Sequence, residues 1–215
     1  DDDKIEAAIK ESNIKARLMN RIFDYSALTP PVMGWQDLYD ILFLCQVATG
    51  GELKELLENI IAKLAERKGS GYMYGKPGAP RVLVSGCPIA GDSAKVLSII
   101  EEAGGVVVAL EACSGMKGYL DEIEDGTGDP TRAIAARYLR IPCSCMTPND
   151  RRLEMLDRAI ERFRPDAVVD VILHACHSYN VESYKVGADV QKRHGLPFLK
   201  IETDYSMSDA GQIRT

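Results

Sequence analysis

Residues 81–115 read RVLVSGCPIAGDSAKVLSIIEEAGGVVVALEACSG, two short β-branched runs on either side of a helical pattern. The runs Arg81–Ser85 and Val106–Leu110 are almost continuously apolar, as expected of strands covered on both faces. Ser93–Ala103 between them carries the spacing of an amphipathic helix. A strand, a helix and a strand in that order make a parallel pair with a right-handed crossover.

The same alternation continues outward toward the C-terminus. Helical patterns cover Pro130–Leu139 and Asp150–Phe163, a third strand covers Ala167–Leu173 (AVVDVIL), and a helix over Ser178–His194 leads into a fourth strand, Pro197–Ile201. Residues 81–215 are therefore expected to form an α/β domain with a four-stranded, parallel, doubly wound sheet of the flavodoxin or Rossmann kind. Outward in the other direction, the Gly-, Ser- and Pro-bearing stretch 71–80 reads as a linker. Residues 1–70 read as a helical segment packed beside the sheet. Ile5, Ala8, Ile9, Ile14, Leu18 and Ile22 recur at helical spacing, Thr29-Pro30-Pro31 ends that helix, and Trp35–Arg67 is helical with a break at Thr49-Gly50-Gly51.

Composition narrows the class. The 215 residues are 46% hydrophobic and 27% charged, so a packed core is expected rather than disorder. A net charge of −6 with scattered Lys and Arg offers no basic stripe, which argues against nucleic acid or an anionic membrane surface as partner. The longest apolar runs, Gly104–Leu110 and Ala167–Leu173, fall well short of the ~20 residues that span a bilayer. The acidic start Asp1-Asp2-Asp3-Lys4 does not resemble a signal peptide; it reads as a tag remnant or an acidic helix start, and the expected location is the cytoplasm.

Six cysteines in such a chain read as thiols or metal ligands rather than disulfides. In an open parallel sheet the usable crevice lies beyond the carboxyl ends of the strands, and five of the six fall in segments expected there. Cys87 follows the first strand, Cys113 the second and Cys176 the third, while Cys143 and Cys145 lie in IPCSCM ahead of a helix. Cys45, on an apolar helical stretch with Leu42 and Phe43, reads as core. Thiolates gathered from separate loops favour an iron–sulfur cluster or zinc. Zinc motifs usually pair ligands two to four residues apart, so dispersed single ligands suit a cluster better. A thiol taken alone is more often a small buried hydrophobe, a reading that weakens when five gather at one edge.

Other chemistries find less support. His174 and His177 flank Cys176, but neighbours on a strand end do not generally face one another, which disfavours a thiol hydrolase. No C-x-x-C, dinucleotide fingerprint or P-loop motif is present. Glu111, His174 and His177 are candidate catalytic residues, as proton donors or as partners of a cluster; Glu202, also at a strand end, shares that reading with simple hydrogen bonding to loop amides. The segment Asp204-Tyr205-Ser206 reads as the start of a flexible tail.

The stretches at these loops resemble the 2-hydroxyglutaryl-CoA dehydratase D-component family, which also includes benzoyl-CoA reductase subunits and double-cubane cluster proteins. The similarity is carried by RVLVSGCPIAGDSAKVLSIIEEAGGVVVALEACSG, by GDPTRAIAARYLRIPCSCMTPNDRR, and by VVDVILHACHSYNVESYKVGADVQKRHGLPFLKIETDYSMSDAGQIRT, in order over nearly all of 80–215. The resemblance implies an iron–sulfur cluster, [4Fe–4S] or double-cubane, held between two α/β domains and completed by residues outside this chain. It implies Cys176 as the leading ligand, Cys113 and Cys145 as added ligands of the double-cubane branch, and Cys87 and Cys143 as further candidates. Implied partners are the remaining half of the subunit, a second subunit in a homo- or heterodimer, and a separate ATP-dependent iron–sulfur activator that supplies low-potential electrons. The implied activity is dehydration of a 2-hydroxyacyl-CoA substrate, with reduction of small molecules by a double-cubane protein, or a non-catalytic metal-binding assembly domain, as alternatives. The family pattern continues beyond Thr215 into a further helix, so the chain reads as a C-terminal fragment, expected to fold alone without holding an intact cluster.

Overall fold

The computed structural model describes all residues 1–215. The N-terminal part is helical: α1 (Asp2–Ser26), α2 (Trp35–Val47) and α3 (Gly50–Gly69). Asp1 caps α1 by accepting from the Lys4 amide at 3.0 Å, and Asp2 and Asp3 in its first turn complement the helix dipole. The remainder alternates as expected: β1 (Arg81–Gly86), α4 (Lys95–Glu102), β2 (Val106–Ala112), α5 (Pro130–Tyr138), α6 (Asp150–Phe163), β3 (Ala167–Leu173), α7 (His177–Asp189), β4 (Phe198–Thr203) and one turn, α8 (Ala210–Ile213). The end of α7 widens into a π-helical turn over Val190–His194.

All four strands are parallel, in the order β2-β1-β3-β4. That order reverses direction between β1 and β3, so the crevice of this α/β sheet lies above the carboxyl ends of those two strands. A single apolar core joins Met19, Phe23, Leu42 and Leu57 of the helical part to Val84, Val108 and Val168 of the sheet, so helices and sheet share one interior.

Three polar side chains of α1 hold β2 and the loop after it. The pairing of β1 with β2 skips Val108, and the carbonyl left over at this bulge accepts from Ser26 Oγ at 2.9 Å. Buried Asn13 donates to the Ile123 carbonyl at 2.7 Å and accepts from the Ile123 amide at 2.8 Å. A few residues further on, Asn20 donates to the Tyr119 carbonyl at 2.6 Å. The long connection from Cys113 to α5 is thereby fastened along the first helix.

The C-terminal segment is more firmly held than its polar sequence suggests. Lys95 sits at the start of α4, and its ammonium is buried and contacts both the Ser206 carbonyl and Asp209. Thr203 Oγ1 donates to the other carboxylate oxygen of Asp209 at 2.5 Å. A buried lysine must find such partners, and here they come from the segment that reads as a flexible tail.

Candidate functional site

Each strand delivers its following loop to the same rim. Gly86 ends β1 with φ +115, and a Cβ there would stand 2.2 Å from the Val171 carbonyl, so the chain turns toward Cys87 only with glycine. The Cys87 amide then donates to that carbonyl at 2.8 Å, and its sulfur accepts from the Leu173 amide at 3.3 Å. Cys87 is buried beneath the rim with Ile172 and Tyr179, and burial pushes its thiol up to about 12.

The other four thiols of the loops are more open. Cys113 and Cys145 are exposed, and Cys143 and Cys176 are half-buried. Cys176 occupies the N-cap of α7. Burial works against its anion, but the Tyr179 amide, Cys87 and Ser178 outweigh that and hold the thiol below its ordinary value. The thiol of Cys145 is raised, first by its contact with Cys143 and more weakly by the charges of Cys113 and Cys176. Thiols from three separate loops thus lie within electrostatic reach of one another. Ser144 Oγ donates to Ser178 Oγ at 3.2 Å and ties the Cys143–Cys145 loop to the start of α7. Cys45 stands apart in the core against Met19, with its thiol pushed up to about 11 by burial.

Beneath the thiols lies a block of buried charge. Glu111 is within β2 rather than at its end, because the strand runs two residues beyond the expected Leu110. Its carboxylate pairs with Lys117 at 2.7 Å, accepts from Ser85 Oγ at 2.5 Å and faces Arg152 at 3.5 Å. Burial opposes the Glu111 anion, but the two cations and these hydrogen bonds win, and the carboxyl stays below its usual value. Arg152 also meets Glu182 at 2.7 Å and Asp170 at 3.5 Å, and stacks 4.8 Å from the centre of the Tyr179 ring. Burial raises Asp170 despite the opposing effects of Arg152, Ser183 and Ser85. Asn149 donates to Glu182 at 2.6 Å and to the Cys143 carbonyl at 2.9 Å, joining this block to the thiol loop above.

The candidate histidines lie outside this block. His174 is exposed, 3.8 Å from Asp204, and His177 is exposed at the first position of α7. His194 pairs with Asp157 at 2.7 Å, so none of the three histidines hydrogen-bonds a cysteine. Glu202 accepts from Asn180 at 3.1 Å on the exposed edge strand. The chain's tight group of three potential metal ligands, within 4.8 Å of one another, is Asp157, Asp189 and His194 and contains no sulfur. The rim thiols are therefore spread more widely than the ligands of a single ion.

Sequence reasoning did not find Lys117, Arg152, Asp170, Tyr179 or Glu182. Two signals were available. Asp170 interrupts AVVDVIL at a position where both faces of the strand are covered, and Arg152 falls on the apolar stripe of α6 with Met155, Leu156, Ala159 and Phe163.

The family model for the 2-hydroxyglutaryl-CoA dehydratase D-component matches residues 1–215. The chain belongs to that family. A relative in Escherichia coli (strain K12), described as "Putative dehydratase subunit YjiM", is 39% identical over 216 residues, covering 100% of this chain and 55% of the relative. The chain thus spans about half the length of that relative. No helix of this member is long and apolar enough to cross a membrane.

Proposed function

We propose that this chain is part of an iron–sulfur 2-hydroxyacyl-CoA dehydratase subunit, in which Cys113, Cys145 and Cys176 ligate an iron–sulfur cluster together with residues outside these 215. The observation that carries this reading is the placement of thiols from three loops over the switch point of the sheet, with a buried block of charge directly below. The donor set fits such a group: all are soft sulfur ligands, they come singly from separate loops, and they are spread too far for one ion. Cys143 is the next candidate, and buried Cys87 lies beneath them.

A bound cluster supplies one-electron reduction at low potential, chemistry that no side chain offers. The residues of the chain supply the rest. The cysteines hold sulfur at the rim, with the anion of Cys176 favoured, against burial, by the Tyr179 amide and the side chains of Cys87 and Ser178. Glu111, Lys117 and Arg152 hold fixed charges in a dry layer beneath, where electrostatic interactions are least screened. His174 and His177, exposed at the rim, are placed to exchange protons with solvent. An ATP-dependent activator is the proposed electron donor, the remaining half of the subunit and a second subunit complete the assembly, and the proposed location is the cytoplasm.

Four thiols on one rim favour a second reading, a double-cubane protein that reduces small molecules, because such a group needs more sulfur ligands than a single four-iron cluster. The test is anaerobic iron and sulfide analysis with absorption spectroscopy of the intact subunit, unaltered and with Cys113→Ser, Cys145→Ser or Cys176→Ser. Each change is expected to reduce cluster content. Full content in all three variants would overturn the site, and colourless metal binding would leave an assembly domain. Activator and ATP, supplied with a hydroxyacyl-CoA or with a small-molecule acceptor, then separate the two catalytic readings.

A further inference from the structure

Tyr179, at the third position of α7, is buried, and its hydroxyl has two neighbours. Lys117 Nζ lies 3.1 Å away and Cys113 Sγ 3.2 Å away. An ammonium carries three donors and no acceptor, so Lys117 can only donate to the phenol oxygen. The one phenolic proton is then left for the sulfur. Lys117 cannot turn away easily, since its side chain is buried and paired with Glu111 at 2.7 Å. The ring is also fixed, with the Arg152 guanidinium 4.8 Å and Lys117 Nζ 5.2 Å from its centre.

We infer that Tyr179 is a positioning residue for the exposed sulfur of Cys113, donating a hydrogen bond whose direction is set by the buried Lys117–Glu111 pair. The chain Glu111, Lys117, Tyr179, Cys113 runs from the interior of β2 to the rim, and each link has its donor and acceptor assigned by chemistry. A phenol that accepts from a cation is the stronger donor for it, because hydrogen bonds in a chain polarise one another. Donation to a ligand sulfur withdraws charge from it and raises the potential of the metal group it holds. That consequence rests on Cys113 being a cluster ligand; the direction of the hydrogen bond does not.

The test uses Tyr179→Phe in the intact subunit, a change that keeps the ring between Lys117 and Arg152. Two readouts separate the two claims. In the metal-free protein, iodoacetamide alkylation at one fixed pH is followed by mass spectrometry, with Cys145 as internal reference. Losing the donated hydrogen bond is expected to lower the Cys113 to Cys145 rate ratio by about threefold or more. In the anaerobically loaded protein, iron content is expected to be retained and the midpoint potential to move negative. An unchanged alkylation ratio overturns the inference whether or not metal binds. A changed ratio in a protein that takes up no iron would uphold the hydrogen bond and sink the cluster reading. Should Tyr179→Phe disturb the fold, Lys117→Gln serves instead: its amide oxygen can accept the phenolic proton, so a smaller shift of the ratio in the same direction is expected.

Discussion

Two buried arginines stand at opposite ends of the sheet and differ in what surrounds them. Arg81 begins β1, and its guanidinium donates to the carbonyls of Leu28 at 2.8 Å, Ala27 at 3.2 Å, Phe163 at 2.6 Å and Arg164 at 3.1 Å. These lie at or just past the last turns of α1 and α6, where helices leave carbonyls without partners and the dipole favours a cation. Arg152, at the carboxyl end, is set among the carboxylates of Glu111, Asp170 and Glu182 instead. Burial leaves Arg81 below its ordinary value, whereas the carboxylates outweigh burial and raise Arg152. At the Arg81 end neutral acceptors complete the architecture. At the Arg152 end the Nε of the arginine is left without a hydrogen bond, and charge rather than neutral acceptors balances the guanidinium.

The largest effect expected from this contrast follows loss of Arg152. Arg152→Met leaves Glu182 without its cation and Glu111 with Lys117 alone, which should destabilise the protein by roughly 3–5 kcal/mol. Arg81→Met removes hydrogen bonds to neutral carbonyls, some of which water can reach, and should cost about 2 kcal/mol. Urea denaturation of the two variants checks the order. An Arg81→Met variant less stable than Arg152→Met would mean that the charged block is not the more strongly coupled of the two ends.

Asp170→Asn sharpens the comparison through pH. Burial raises the Asp170 carboxyl in the folded protein, so the native state holds its proton to higher pH than the unfolded chain does. Below the unfolded value both states are protonated and the group contributes nothing; as pH rises through the folded value the native state bears a buried charge and loses stability. Asparagine imitates the neutral form. The variant should therefore be the more stable at neutral pH, by less than the effect of losing Arg81, and the advantage should vanish as the pH falls toward ~4. An advantage that grows on acidification would show that Arg152 holds Asp170 ionised.

The same contrast explains how much was legible in the sequence. Strand and helix positions follow from periodicity, because apolar runs such as VVVAL and the stripe of α6 have no other way to be buried. The thiol rim follows from topology, since loops after parallel strands must emerge at one edge. The layer beneath the rim was hidden. Lys117 lies in a short turn where lysine ordinarily faces water and Tyr179 reads as a helix start, yet each is buried by partners distant in sequence. Glu111 reads as a strand-end residue, and the extension of β2 to Ala112 places it within the strand at the centre of the block. Pairing of charges across elements has no local period, so composition and spacing cannot register it.

The smallest effect is expected at the rim itself, and its smallness is informative. Cys113 is exposed, and its side-chain hydrogen bond is the one shared with Tyr179, so Cys113→Ser should change the stability of the metal-free protein by no more than about 0.5 kcal/mol. A serine hydroxyl can accept the same phenolic proton, which further limits the cost. A thiol placed for packing behaves otherwise: Cys45 is enclosed against Met19 and apolar neighbours with Tyr119 as its one polar contact, so burying a hydroxyl there by Cys45→Ser should cost about 1–2 kcal/mol. Denaturation of the two metal-free variants side by side reads the difference. If Cys113→Ser proved as costly as Cys45→Ser, the rim cysteine would be holding the fold together, and its exposure would no longer argue for a ligand. If it proves nearly free of cost while loaded protein loses iron, then the same substitution is neutral to folding and decisive for metal, which is how a side chain kept for chemistry differs from one kept for packing.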